Sequence, residues 1–131
     1  MFGLKKLESF SKGDSVYWAI ALKDINEMIG GAGYWRITKE HFRAEIGYQL
    51  MPEYWRKGYS LEALKSIIQF GFEKMGLHSI EGNVNPDNIP SIKLLEKLGF
   101  KQEAYFKENF YYNGKFLDSA IFSLIISDWK S

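Results

Sequence analysis

The sequence predicts a mixed-sheet α/β domain, and three observations support that fold class. Two segments carry apolar residues at helical spacing, several shorter segments are rich in strand-forming residues, and the predicted order is β-β-β-α-β-α-β-β. Within this order, residues 43–84 would form a β-α-β unit. The chain has 131 residues, the size of one domain, and no linker or internal repeat divides it. We therefore expect residues 1–131 to form a single domain.

The N-terminal third is predicted to contain one helix and two strands. Residues 3–10 are predicted to form a short helix that ends near Gly13. The segments 16–22 (VYWAIAL) and 27–37 (EMIGGAGYWRI) are typical of strands. The short turn KDIN between them favours a hairpin.

The middle of the chain alternates between strand and helix. Segment 43–51 has apolar residues at alternate positions, and Gly47 within it indicates a bulge or the close approach of a ligand. A helix over 60–75 follows, with Ser60 as a candidate N-cap. Residues 78–84 are predicted to form the next strand.

The last third is predicted to contain a helix and a β-hairpin. In the sequence DNIPSIKLLEKLGF, Asp87 or Asn88 can cap the N-terminus of a helix, and Gly99 can end it. Two strands, about 101–112 and 115–127, complete the chain. The Asn-Gly pair between them is a strong hairpin signal.

Composition excludes several classes of function. The chain has no cysteine and only two histidines, which argues against disulfides, thiolate nucleophiles and a structural metal site. A net charge of +1 argues against a protein that must neutralise many phosphates of a nucleic acid. No segment is long and apolar enough for a signal peptide or a membrane span. We therefore expect a cytoplasmic protein with no metal, membrane or nucleic-acid partner.

The sequence PEYWRKGYSL places two cations and a glycine immediately before a helix. Taken alone, Arg56, Lys57 and Gly58 are more often a solvated pair and a turn. A helix N-terminus, however, presents unpaired N–H groups and the positive end of its dipole, and glycine lets a ligand approach the backbone. Because this junction follows a strand inside a β-α-β unit, it predicts an anion site.

A second group of polar residues lies where the next strand ends and the next helix begins. Asn83, Asn85 and Asn88 fit turn and capping chemistry, and a hydroxyl in the first turn, Ser91, is often bonded only to backbone or water. Both strand-to-helix junctions open on one edge of the sheet, however. Together they suit a long ligand with a phosphate at one end.

At these residues the chain resembles a known family. PEYWRKGYSLEAL resembles the pyrophosphate loop of the GNAT superfamily of N-acetyltransferases, whose signature is Q/R-x-x-G-x-G/A, and the pattern N-x-x-S followed by LLEKLGF resembles its next helix. The sequence is most similar to the branch of the RimJ/RimL ribosomal-protein N-acetyltransferases, a likeness that AEIGY and the C-terminal tail share. The resemblance implies a GNAT-like fold that lacks the usual first strand and helix.

The resemblance also implies a cosubstrate and the residues that bind it. Acetyl-CoA would lie between the two central parallel strands, with its pantetheine arm along the strand that ends at Leu50 and Met51. Asn88 would contact the same arm, and Asn83 would also bind the cosubstrate. The pyrophosphate would be wrapped by the loop residues Arg56, Lys57, Gly58, Tyr59, Ser60 and Leu61. No metal is implied.

For catalysis, the resemblance implies direct attack of a primary amine on the thioester. Many superfamily members have a tyrosine as proton donor where this chain has Leu95, and in the similar branch Ser91 takes that role. Glu45 would relay a proton from the amine. The alternative for Glu45, an outward and salt-bridged strand carboxylate, is equally compatible with the sequence.

Two questions about partners stay open at the sequence level. A degenerate module that binds acyl-CoA without turnover is the alternative to an enzyme, because full-length relatives carry an additional N-terminal region that builds the amine pocket. The β-prone segment 16–22 has no visible neighbour, and exposed edges pair with other chains. A homodimer or a partner chain covering this edge is therefore expected.

Overall fold

The computed structural model describes residues 4–12, 15–22, 27–55 and 57–130, with the backbone alone for residues 4–12. The β-strands are β1 (Leu4–Lys12), β2 (Ser15–Leu22), β3 (Met28–Thr38), β4 (Arg43–Leu50), β5 (Ser79–Val84), β6 (Lys101–Tyr112) and β7 (Lys115–Ile125). The α-helices are α1 (Tyr59–Glu73) and α2 (Ile89–Lys97). Short 3₁₀ turns cover Lys39–His41, Pro52–Tyr54 and Ile126–Asp128.

The seven strands form one mixed sheet in the order β1-β2-β3-β4-β5-β7-β6. Strands β4 and β5 pair in parallel, and the other neighbours pair antiparallel. Helix α1 connects the two parallel strands, so the predicted β-α-β unit is confirmed. The predicted mixed α/β fold class is confirmed with it.

The N-terminal segment differs from its prediction. A helix over 3–10 is wrong, because Leu4–Lys12 forms strand β1 and pairs antiparallel along β2. Leu4, Leu7 and Phe10 are three residues apart, which favours a helix when the segment is considered alone. One register shift allows this segment to pair with a strongly β-prone neighbour, and that pairing overrides the local spacing.

The same pairing removes the predicted free edge at 16–22. Strand β2 lies between β1 and β3, and the edges of the described sheet are β1 and β6. The expectation that a homodimer or partner chain covers residues 16–22 is therefore wrong in its premise. The chain supplies that neighbour itself.

Both helices contribute to one hydrophobic core on one face of the sheet. Leu64 and Ile67 of α1 are fully buried there, together with Ala44 and Ile46 of β4. The buried Tyr34 hydroxyl group donates a hydrogen bond of 2.7 Å to the Ile67 carbonyl oxygen and so links β3 to α1. Neither of the two described helices is long and apolar enough to cross a membrane.

Local turn signals are confirmed with one adjustment. Helix α1 begins at Tyr59, and Gly58 rather than Ser60 is its N-cap, with a φ of 81°. Glycine adopts this left-handed conformation without the steric cost that a Cβ brings. In the hairpin between β6 and β7, Asn113 and Gly114 both have positive φ, as a tight two-residue turn requires.

Candidate active site

The two parallel strands separate at their carboxyl ends. Strands β4 and β5 are paired over four residues, and the last pair is Ile46 with Gly82. Strand β4 continues to Leu50 and β5 to Val84 without further pairing between them. This end of the pair is therefore an open gap, at the edge of the sheet where α/β proteins bind ligands.

A cleft of about 850 Å³ lies over this gap. Ligand pockets commonly measure about 300–1,000 Å³, so the cleft can hold a sizeable small molecule. Its walls come from β4 and β5, from the N-terminus of α1, from most of the length of α2, and from Trp35 of β3 and Trp55. The described lining residues are Trp35, Glu45, Ile46, Gly47, Tyr48, Gln49, Leu50, Trp55, Gly58, Ser60, Leu61, Gly82, Asn83, Val84, Asn85, Asn88, Pro90, Ser91, Lys93, Leu94, Leu95 and Lys97.

The N-terminus of α1 contributes Gly58, Ser60 and Leu61 to the cleft. The first backbone hydrogen bond of the helix runs from the Glu62 amide to the Gly58 carbonyl oxygen, at 3.1 Å. The amides of Ser60 and Leu61 precede that bond, and first-turn amides carry the positive end of the helix dipole. This corner of the cleft is suited to an anionic group.

Three residues predicted to bind the cosubstrate do not line the cleft. The Met51 amide donates a hydrogen bond of 2.8 Å to β3, and the Tyr59 ring lies 6.1 Å from the Tyr54 ring. Lys57 is exposed to solvent. Arg56 lies outside the described residues. The roles assigned to these four residues stay predictions from the sequence.

Some of the asparagines near the start of α2 are used in turn and capping hydrogen bonds, and others are not. The Asn88 side-chain oxygen accepts a hydrogen bond of 3.3 Å from the Ser91 amide and so caps the helix, as predicted. Asn85 accepts a hydrogen bond of 2.8 Å from the Asp87 amide. Turn chemistry therefore explains Asn85 and one atom of Asn88. It does not explain Asn83, which is exposed at the end of β5, or the Ser91 hydroxyl group, and both of these line the cleft.

The Ser91 hydroxyl group meets a tyrosine that sequence reasoning did not assign to the site. Tyr48 Oη and Ser91 Oγ are 2.9 Å apart, a hydrogen bond that joins β4 to α2. Burial raises the pKa of Tyr48, and the hydrogen bond with Ser91 opposes part of this rise. A signal was available in the sequence, because Tyr48 lies on the apolar face of β4 and a buried hydroxyl group needs a partner.

Three further lining residues were also missed. Trp55 Nε1 donates a hydrogen bond of 2.7 Å to the Leu50 carbonyl oxygen, which fixes the indole ring beside the cleft. Lys93 and Lys97 lie one helical turn apart on α2, a spacing visible in the sequence. They are the cations among the described lining residues.

Glu45 reaches the cleft from the face of β4 opposite the core. Its side chain is only 13% exposed, and Oε1 lies 3.3 Å from Nη1 of Arg36. This contact lacks hydrogen-bond geometry, so Oε1 is buried without a hydrogen-bond partner among the described residues. Burial raises the pKa of Glu45 and the nearby Glu81 adds to the rise, while Arg36 and a hydrogen bond with Trp35 oppose it. A raised pKa brings a carboxylate closer to the range useful for accepting a proton at neutral pH.

Gly47 is explained by an aromatic neighbour. A Cβ atom at this position would lie 2.0 Å from two carbon atoms of the Trp35 ring. The sequence predicts a bulge or the close approach of a ligand at Gly47, but the register is regular there and the close neighbour is a side chain of β3. The glycine leaves room for the indole ring against β4 next to the gap.

Comparison with other proteins agrees with this geometry. Residues 3–101 match the family described as the acetyltransferase (GNAT) domain. The uncharacterised N-acetyltransferase YoaA of Bacillus subtilis is 33% identical over 138 residues, which cover 95% of this chain and 78% of YoaA. A ribosomal protein uS5 alanine N-acetyltransferase of Escherichia coli is 30% identical over 123 residues, which cover 93% of this chain and 63% of that enzyme.

Solved structures show the same fold. A ribosomal-protein alanine acetyltransferase from Vibrio fischeri superposes with a TM-score of 0.82 at 33% identity, covering 89% of this chain and 64% of that one. A mutant form of the spermidine/spermine N-acetyltransferase SpeG from Vibrio cholerae has a TM-score of 0.83 at 23% identity, a likeness of fold alone, covering 88% and 69%. This chain thus spans 63–78% of the length of these proteins. The match over residues 3–101 and the relatives above place the chain in the GNAT family of acetyltransferases, as the sequence predicts.

Proposed function

We propose that residues 1–131 form an acetyl-CoA-dependent N-acetyltransferase domain that moves an acetyl group to a primary amine by direct attack. One observation carries the proposal: the open end of the β4–β5 pair, the N-terminus of α1 and the Ser91 hydroxyl group line one cleft. Such a cleft offers an anion site, a strand-like slot and a proton donor to one elongated molecule.

The phosphate end of acetyl-CoA is assigned to α1. The amides of Gly58, Ser60 and Leu61 would bind the pyrophosphate, and the helix dipole would add about 0.3–2 kcal/mol. Lys93 and Lys97 supply positive charge from the α2 side of the cleft. This arrangement gives the phosphates both hydrogen-bond donors and counter-charge.

The pantetheine arm is assigned to the gap between β4 and β5. Backbone groups of β4 near Leu50 can bind its amides as an added strand would, because β5 no longer pairs with them there. Asn83 and Asn88 line the same gap and offer side-chain N–H groups. The thioester would then lie deepest, near Ser91.

The chemistry assigned to the site has two polar participants. The amine nitrogen bonds to the acetyl carbon, the C–S bond breaks, and sulfur leaves with the electron pair. Ser91 donates a hydrogen bond to this developing thiolate, and Glu45 accepts the amine proton through a water molecule. The buried position of Glu45, which raises its pKa, supports the second role.

We assign an α-amine, such as a protein N-terminus, as the acceptor. An α-amine with a pKa near ~8 costs about 1 kcal/mol to deprotonate at pH 7, whereas a lysine near ~10.4 costs about 4–5 kcal/mol. A single carboxylate acting through water suits the smaller demand. The Escherichia coli relative named above acts on an alanine of a ribosomal protein, which agrees with this choice.

A second candidate function is a module that binds acyl-CoA without turnover. One observation favours it: both described helices contribute to the core on one face of the sheet. The Glu45 face, where an acceptor would approach, is therefore not walled by either described helix.

Thermal denaturation tests the cosubstrate. Acetyl-CoA and CoA are expected to raise the Tm with increasing ligand concentration, because both bind the folded state. Pantetheine, which lacks the phosphates, is expected to raise it much less. Equal stabilisation by pantetheine would remove the role assigned to α1.

Release of the CoA thiol separates the two candidate functions. The amines compared are a peptide with N-terminal alanine, an N-terminally blocked peptide with one lysine, and spermidine. Thiol release that is fastest with the first peptide supports the proposed acceptor. Binding of acetyl-CoA with no release for any amine favours the module without turnover.

A further inference from the structure

Tyr48 and Ser91 form a pair of hydroxyl groups at the open end of β4. Their oxygens are 2.9 Å apart, and both side chains are half-buried and line the cleft. Each hydroxyl group carries one hydrogen. When Tyr48 donates to Ser91, the Ser91 hydrogen is left to point into the cleft. The phenol is the more acidic group and therefore the better donor of the pair.

Acidity decides whether Ser91 can act alone. A thiol has a pKa of about 8.5 and a phenol about 10. An aliphatic hydroxyl group ionises near the value of water, about 15.7. Protonation of a thiolate by an isolated serine is therefore uphill by about 7 pKa units, but by only about 1.5 units when the source is a phenol with the ordinary pKa. Burial of Tyr48 raises its pKa and widens this smaller gap, and the hydrogen bond with Ser91 opposes part of that rise. Position 95, one helical turn after Ser91, offers no such group, because the side chain of Leu95 is aliphatic.

We propose that Tyr48 is a positioning residue that acts through Ser91 and is the source of the proton that reaches the departing thiolate. This inference rests on the proposed function. As the C–S bond breaks and sulfur takes the electron pair, the Ser91 proton moves to sulfur and the Tyr48 proton moves to Ser91 Oγ. The Tyr48 phenolate then regains a proton from solvent, to which Glu45 has passed the amine proton. Burial, which raises the pKa of Tyr48, keeps the phenol protonated between turnovers.

The pKa of the bound CoA thiol tests this relay without an acceptor amine. Thiolate absorbance of the CoA complex is followed against pH, and the wild-type value is expected below the ordinary ~8.5 because the pair donates to the thiolate. Tyr48→Phe keeps the ring and is expected to raise this pKa by about 0.5–1 unit, since Ser91 is no longer polarised. Tyr105→Phe is the control: it removes a hydroxyl group bonded to Asp118 at 2.5 Å, outside the cleft, and should change nothing.

Turnover supplies a second readout. Tyr48→Phe is expected to lower kcat about 10-fold with KM for acetyl-CoA nearly unchanged. In a Ser91→Ala background the same change should have no further effect, because the two groups act as one unit. An unchanged thiol pKa in Tyr48→Phe, or losses of kcat that add, would overturn the relay alone. Failure of the wild type to bind CoA would instead overturn the proposed function and the relay with it.

Discussion

The two halves of the β4–β5 pair are built from the same strands and differ in how their polar groups are used. In the paired half, the Arg43 guanidinium group donates hydrogen bonds of 2.8 Å to Ser79 Oγ and 2.7 Å to Ser123 Oγ. It also contacts Glu81 at 3.2 Å. One side chain thus links three strands, and the polar groups around it are satisfied within the protein.

In the open half, polar groups are only partly satisfied. The Ser91 hydroxyl group is bonded to Tyr48 and the Asn88 oxygen is used for capping, and all three side chains line the cleft. Glu45 lies at the boundary: it pairs in register with Glu81, and its Oε1 lacks a hydrogen-bond partner among the described residues. Where two strands separate, polar groups that would otherwise be bonded within the protein are available to bind a ligand.

Two serines, one beside each half of the β4–β5 pair, are expected to give the largest difference in turnover. Ser91→Ala is expected to lower turnover by about 10–1000-fold with little change in acetyl-CoA affinity, because it removes the donor to the thiolate. Ser123→Ala is the matched control, since it removes a hydroxyl group of β7 that accepts a hydrogen bond from Arg43 in the paired half. It should lower stability slightly and leave kcat intact. Equal effects on kcat in both variants would erase the distinction.

Arg43→Met tests the paired half. The variant keeps the apolar stem but leaves two buried serine hydroxyl groups and Glu81 without their shared donor. We expect the free energy of unfolding to fall by about 2 kcal/mol, measured by denaturant titration. Acetyl-CoA affinity of the remaining folded protein should be unchanged. A loss of affinity without a loss of stability would place Arg43 in the binding site.

Two glycines flank α1, one as its N-cap and one three residues after its last residue, and they compare the same backbone conformation inside and outside the cleft. Gly58 and Gly76 have φ values of 81° and 72°. Alanine at either position is expected to reduce stability by about 1–2 kcal/mol, because a Cβ disfavours left-handed backbone. At Gly76 the added Cβ meets nothing within 4 Å, so this variant isolates the backbone term.

Affinity for CoA separates these two variants. Gly58→Ala should weaken binding, because it brings a Cβ to the corner assigned to the pyrophosphate, and Gly76→Ala should not. Calorimetric titration measures the difference. Equal affinity in both would show that the phosphates bind elsewhere.

Glu45→Gln gives the smallest effect and one with a defined pH dependence. Burial raises the pKa of Glu45, so its favourable contribution to folding is present below the ordinary carboxyl pKa and is lost as pH rises through the raised value. The variant escapes that loss, and its stability relative to wild type should therefore increase over the same pH range. Denaturant titrations at several pH values, with exposed Glu103→Gln as control, measure it. A difference that does not vary with pH would contradict the prediction.

The turnover of Glu45→Gln relative to wild type should also increase with pH, but for a different cause. The variant is expected to be slower than wild type at neutral pH, where the amine needs a base. The gap should narrow as pH rises and the amine deprotonates unaided. A constant ratio would return Glu45 to a structural role.

Local sequence patterns predicted much of the fold. The β-α-β unit, the Asn113–Gly114 turn and the Asn88 cap depend on residues close in the chain, and all three are confirmed. Strand β1 was missed because its spacing favours a helix, and only pairing with β2 decides otherwise. Pairing partners are a property of the whole sheet, which local spacing does not encode.

In the candidate site too, residues in short motifs could be predicted, whereas contacts between residues far apart in the chain could not. Gly58 and Ser91 could be located because each belongs to a short motif at a helix start. The Tyr48–Ser91 contact spans 43 residues and the Arg43–Ser123 contact spans 80, so neither is visible along the chain. The Trp35 ring over Gly47 also depends on strand register.

Backbone hydrogen exchange with and without CoA compares the two halves of the β4–β5 pair in one experiment. We expect CoA to increase protection at residues 47–50 of the open strand and at residues 58–61 of the α1 N-terminus. Residues 43–46, already paired with β5, should change little. Protection spread evenly along β4, or none at 58–61, would contradict the assignment of acetyl-CoA to the open half.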